Sequence, residues 1–226
     1  MTALPQNKFS GIEISLILAI VSLFFWNSVF LLPAKLLTVF FHELSHGIAA
    51  VLTGGKIHSI SLNLRQGGVC NFTGGWFIIT ATAGYIGSLL WGSGILLLSL
   101  KKNSSRLITK IIGGIILSTA LLYMRDIQAL AISLLTGIGL IYIGKNLKEI
   151  YCDIFIKYIS LISCFYVVFD IKSDLIDRTI PISDAYQISK AIFPGFMVPI
   201  GSNIIGFAWM AIAIYILWKV FQYALK

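Results

Sequence analysis

Seven stretches of this chain are apolar, and most are long enough to cross a lipid bilayer as helix. They cover residues 11–33, 35–53, 76–100, 107–124, 127–144, 150–169 and 197–220. A helical span needs about 20 residues. Inside hydrocarbon the backbone must satisfy its own polar groups, which leaves only helices and closed barrels. A barrel would alternate polar and apolar positions, and these runs do not. The expected fold is an all-α polytopic membrane protein of about six to seven transmembrane helices, the first two runs being able to form one broken hairpin. A single domain over residues 1–226 is expected. The first run lacks a small-residue cleavage site, so it is expected to be retained.

Charge supports the same class. Only 12% of residues are charged, with a formal net charge of +8, and the charges sit mostly at the ends of the runs. There they read as topology signals and headgroup anchors. No basic cluster is interleaved with aromatic residues as in a nucleic-acid site, so no nucleic-acid partner is expected. If seven spans alternate sides, nine basic residues, Lys35 among them, fall on the side of the C-terminus and seven on the other. That leans toward a cytoplasmic C-terminus. Cys70, Cys152 and Cys164 form no C-x-x-C pair and read as small apolar fillers.

The second run carries His42-Glu43-Leu44-Ser45-His46. Residues four apart share one helix face, so His42 and His46 can grip one metal ion. Glu43 can then reach toward a water on that ion. This H-E-x-x-H spacing belongs to a zinc hydrolase helix with the glutamate as general base. Ionisable groups at membrane depth are costly and mark function by default. Thr53-Gly54-Gly55 ends the run, as glycine commonly does past a helix C-terminus.

Residues 56–75 break the apolar pattern. Ile57, Ser59, Ile60, Ser61, Leu62, Asn63 and Leu64 alternate imperfectly. Gly67-Gly68 offers a turn and residues 69–72 a return strand, which predicts a small β-hairpin after the metal-binding helix. Exposed strand edges do not survive in lipid, so the hairpin should lie at the interface or line a wet cavity. Its edge could take up an extended substrate as an added strand. His58 is expected on the hairpin surface and not among the ligands. In the next span, Gly84, Ser88 and Gly92 form a stripe that lets another helix approach closely. Ser133 and Gly137 form a shorter one. Asp153 and Lys157 are spaced to pair on one helix face.

Residues 170–195 are the most polar stretch. Pro181 breaks the preceding segment, and Ser183 reads as the N-cap of a short helix through Phe193. Asp184 falls in its first turn, where the helix dipole favours a carboxylate. A catalytic zinc usually has three protein ligands and an open position, so a distant residue must join the two histidines. Asp184, flanked by Ile182 and Ala185, can point into the bundle. Asp170, Asp174 and Asp177 lie near Lys172 and Arg178 and read as solvated charges. In the last run Ser202 and Asn203 are polar groups at depth, and Trp218, Lys219 and Tyr223 look like an interfacial anchor.

Taken together, these stretches resemble the site-2 protease family of intramembrane zinc metallopeptidases. The resemblance rests on the H-E-x-x-H helix, the following Thr53-Gly54-Gly55 and hairpin, Ala83-Gly84-Tyr85-Ile86-Gly87-Ser88, and Ser183-Asp184-Ala185. It is nearest to a small bacterial, peptidase-like branch. It implies His42, His46 and Asp184 as zinc ligands and Glu43 as the catalytic base. The best-known members carry an Asn-Pro-Asp-Gly type sequence around the late aspartate, whereas here it stands in Ser-Asp-Ala. No soluble peptide-binding domain is inserted.

The expected activity is cleavage of peptide bonds in or near transmembrane segments of membrane proteins. Its partners would be a transmembrane substrate and the lipid bilayer, and its location a bacterial inner membrane, multi-pass. The alternative is a non-catalytic zinc-binding scaffold or sensor that keeps the metal site.

Overall fold

The computed structural model describes residues 10–26, 28–65, 67–172 and 183–224. In chain order the elements are α1 (Ser10–Phe24), α2 (Leu32–Leu52), β1 (Lys56–Asn63), β2 (Gly67–Thr73), α3 (Phe77–Ser99), α4 (Ser105–Tyr123), α5 (Ile127–Asn146), α6 (Glu149–Lys172), α7 (Asp184–Ile192) and α8 (Val198–Ala224). Among these, six helices are long and apolar enough to cross a membrane. The protein is thus an integral, multi-pass membrane protein with one small antiparallel sheet.

The first apolar run does not form a span of its own over 11–33. α1 stops after 15 residues at Phe24, and a turn of 3-10 helix at Val29–Leu31, capped by the Ser28 hydroxyl, leads directly into α2. Pro33 sits in the first turn of α2, where its missing N–H costs nothing. The span that carries His42-Glu43-Leu44-Ser45-His46 is therefore Val29–Leu52, longer than the sequence suggested. α1 leans on α6 through two hydroxyls. Ser15 donates to the Ile154 carbonyl at 2.9 Å, and Ser22 is hydrogen-bonded to the Tyr158 hydroxyl at 2.9 Å.

α2 is the most enclosed of the spans, whereas α5 and α8 present most of their surface outward. α2 carries Lys35, Glu43 and His46, side chains that are costly to turn toward lipid, so it packs inside the bundle. Its Lys35 is a correction to the charge count. Instead of reaching the headgroups it is 1% exposed, with its Nζ 4.6 Å from the Trp26 ring centre. Trp26 in turn stacks on Phe169.

The glycine-serine stripe of α3 serves two neighbours. A β-carbon at Gly92 would stand 2.8 Å from the Ser160 carbonyl of α6, and Ser163 of α6 donates to the Ser88 carbonyl. Gly84, one end of the stripe, faces α2. Gly137 of α5 likewise lies against Gly113 and Leu117 of α4. Asp153 and Lys157 do pair, at 2.6 Å, and Lys157 is buried. A second cluster joins Tyr85 and Leu89 of α3, Val167 and Ile171 of α6, Ile188 of α7 and Trp209 of α8. It seats α7 against the bundle.

The hairpin forms, but its turn is not Gly67-Gly68. Those glycines begin β2, with Gly67 opposite Asn63 and Gly68 opposite Leu62. The Asn63 side-chain oxygen accepts from the Arg65 and Gly67 N–H groups and shapes the turn. A bulge between Ile57 and Ser59 explains the imperfect alternation: one extra residue returns Ile57, Ile60 and Leu62 to the same buried side. The extra residue is His58, exposed and hydrogen-bonded to Thr73 Oγ1. At the far end of α8, Lys219 lies over the Trp218 and Tyr215 rings. Ser202 is buried, but Asn203 faces outward.

Candidate metal centre

His42 and His46 leave the same face of α2, one turn apart. Asp184 comes from the other side of the bundle, at the start of α7. Ser183 caps that helix by accepting from the Tyr186 N–H, and Ala185 and Ile188 anchor it in the apolar cluster. The cap orients the first turn so that Asp184 meets α2. Its Oδ2 lies 3.1 Å from His42 Nε2 and 3.3 Å from His46 Nε2. Among the described residues, this is the one group of three side chains whose donor atoms, all within 4.8 Å of one another, could hold a metal ion.

Two details show that the side chains aim at a common point. First, Asp184 Oδ2 is buried and accepts no hydrogen bond among the described residues, although two ring nitrogens are near. Second, His46 Nδ1 is 2.7 Å from the Thr80 carbonyl. A carbonyl can only accept, so Nδ1 carries a proton, which leaves Nε2 as the nitrogen that could bind a metal in the site. Gly84 supplies the space. A β-carbon there would stand 2.5 Å from Nε2 of both histidines. Tyr85 presses on the His42 ring edge-on at 5.0 Å between centres and is itself backed by Trp209. The donor set of two imidazoles and one carboxylate suits a catalytic metal with an open position.

Glu43 is buried beside this cluster, under the hairpin. A β-carbon at Gly68 would stand 2.5 Å from its Cγ and 2.7 Å from its Oε1. The Cys70 thiol is pushed up to about 12, first by burial and then by the Glu43 charge, so it stays protonated. The hairpin base is clasped to α2, because the Trp76 N–H donates to Thr53 Oγ1.

The sequence-derived residues His42, His46 and Asp184 are thus brought together, with Glu43 next to them. His58 lies apart, on the bulge. Asp174, Asp177, Pro181 and Ile182 lie outside the described residues. Sequence reasoning missed the Thr80 carbonyl, because a backbone acceptor leaves no mark in residue type. It also took Gly68 for a turn residue.

Six helices fit to cross a membrane, with two histidines of α2 meeting an aspartate at the start of α7, define a membrane protein with a candidate metal site. The chain belongs to the Peptidase M50B-like family, that of the site-2 proteases, whose family model matches residues 14–220. Searches of curated proteins and of solved structures gave no match.

Proposed function

We propose that this protein is an intramembrane zinc metalloendopeptidase that cleaves peptide bonds in or near the transmembrane segments of other membrane proteins. One observation carries the reading: His42 Nε2, His46 Nε2 and Asp184 Oδ2 converge on one point. Donors around a tetrahedral zinc at ~2.1 Å would stand ~3.4 Å apart, close to the 3.1 and 3.3 Å found here. Zinc held there would supply Lewis acidity, making a water acidic enough to lose a proton near neutral pH.

Glu43 takes that proton and later delivers it to the amine nitrogen of the departing fragment. Burial under Gly68 keeps the carboxylate from swinging away. His46, locked by Thr80, and His42, braced by Tyr85, keep their donor atoms in place. A peptide bond inside a membrane helix is already hydrogen-bonded internally, so the substrate must unwind locally. Among the described residues β2 pairs only with β1, so its other side offers partners for the freed backbone. The substrate is then a transmembrane protein within the same bilayer, which we take to be a bacterial inner membrane.

The test uses the full chain reconstituted in lipid with a transmembrane reporter peptide. Glu43→Gln should keep its zinc and lose at least about a hundredfold in cleavage rate. Chelation should abolish cleavage, and added zinc should restore it. A wild-type protein that holds zinc stoichiometrically yet cleaves no membrane-spanning reporter would sink the proposal in favour of a scaffold or sensor.

A further inference from the structure

We infer that the end of the bundle where α4 begins and α5 meets α6 is a binding surface for the headgroups of anionic phospholipids. Six basic residues gather there: Lys101, Lys102, Arg106, Lys110, Lys145 and Lys148, all exposed. They come from two stretches far apart in sequence, the start of α4 with the loop before it and the end of α5 with the loop after it, and the packing joins them. The Arg106 guanidinium donates to the Gly144 and Lys145 carbonyls, and the Lys110 stem lies against Gly144.

The acids of this end are turned inward. Glu149 accepts from the Ser105 N–H. Asp153 accepts from the Ser105 hydroxyl and pairs with the buried Lys157. Among the described residues none of the six outer cations has a carboxylate within ion-pair distance, since His42, His46 and Lys157 make all the pairs found. The outward field is therefore of one sign.

The rim of this patch is membrane-like. Tyr142 is 65% exposed and Tyr151 56%, with Leu107, Leu147 and Ile150 also exposed nearby. Tyrosines at headgroup depth above an apolar belt are the usual composition of a bilayer interface. Basic groups between helices at that depth attract lipid phosphates. The hairpin lies at the other end of the same helices: Ser61 donates to Asp126, the N-cap of α5, and α5 has 20 residues, about 30 Å of helix. The inference also assigns a side. The six-cation end faces the leaflet richer in anionic lipid, and the hairpin faces the opposite interface.

The experiment is native mass spectrometry of the full chain extracted from equimolar phosphatidylglycerol and phosphatidylcholine vesicles. Wild-type protein should retain phosphatidylglycerol about tenfold or more over phosphatidylcholine. That preference should collapse at about 1 M salt, where screening acts within ~3 Å. Inorganic phosphate at constant ionic strength should leave it unchanged. The triple variant K110Q/K145Q/K148Q should lose the preference, while K56Q/R65Q, two exposed cations on the hairpin, should keep it. Equal retention of both lipids by the wild type overturns the inference. So does a preference that survives salt, displacement by free phosphate, or equal loss in the hairpin control. Should the triple variant fail to fold, the salt and phosphate titrations of the wild type decide the matter alone. None of these readouts depends on peptidase activity.

Discussion

Gly68 of the hairpin and Glu43 of α2 are in direct contact, so close that a β-carbon on Gly68 would stand 2.5 Å from Glu43 Cγ and 2.7 Å from its Oε1. Something must shift if that carbon is added. Displacing a catalytic group by about 1 Å can cost about a hundredfold in rate. Gly68→Ala is therefore expected to lower kcat by about 10- to 100-fold while zinc content stays at the wild-type level. Gly67→Ala is the control, since its β-carbon would meet only the Asn63 side chain. Parallel cleavage and metal assays of the two variants check this, and equal activity in both would contradict the contact's importance.

Gly84→Ala should act on the metal itself. Its β-carbon would stand 2.5 Å from Nε2 of both His42 and His46, and those atoms cannot retreat together while His46 is tied to Thr80. Zinc stoichiometry should fall toward that of His46→Ala, with the helical circular-dichroism signal unchanged. Full metal loading of Gly84→Ala would show that the ring nitrogens do not meet where they are drawn together here.

The buried pair Asp153–Lys157 yields a stability prediction. Removing one partner strands the other charge, at a typical cost of about 3–5 kcal/mol, whereas replacing both with apolar residues is often neutral or stabilising. Lys157→Met alone should unfold at markedly lower denaturant than the wild type. The Asp153→Leu/Lys157→Met double variant should recover most of the difference. A double-mutant cycle with no coupling would contradict this.

Asp126 gives the molecule a pH dependence at the hairpin end. The Ser61 hydroxyl, and after it the Ala129 N–H, hold its carboxyl below the usual carboxylate range. The folded value is thus depressed relative to the unfolded chain. The stabilisation is fully present above the unfolded value of about 3.9 and is lost as pH falls through the lower folded value. The protection of the Ala129 amide relative to its intrinsic exchange rate should fall in that acidic window and hold above it. Asp126→Ala, which removes the N-cap, should cost about 1 kcal/mol at neutral pH and erase the acid sensitivity of that amide.

Much of this architecture was legible from residue types because each signal was local. H-E-x-x-H needs only helical spacing, and the Ser183 cap needs only its own first turn. Asp184 was legible as the acid facing the histidines because its flanks are apolar, and its place beside them bears out that position. What escaped reading depended on a neighbour distant in sequence. Gly67-Gly68 has the composition of a turn, and only the docking of β2 on α2 makes Gly68 a contact instead. Lys35 looks like a headgroup anchor until Trp26 is folded over it. The first apolar run has the hydropathy of a span, yet Ser28 and Pro33 start a new helix within it, and hydropathy cannot see a cap.

The aspartate that completes the metal cluster stands on a nine-residue helix separated from the histidines by most of the chain. An ion shared between them would be a cross-link as well as a reagent. It would close a very long loop, and binding to the folded form alone would add to stability in proportion to the logarithm of ion concentration. Starving the protein of zinc would then loosen the joint between α2 and α7 along with silencing the chemistry, so a single thermal melt at graded metal concentrations would register both.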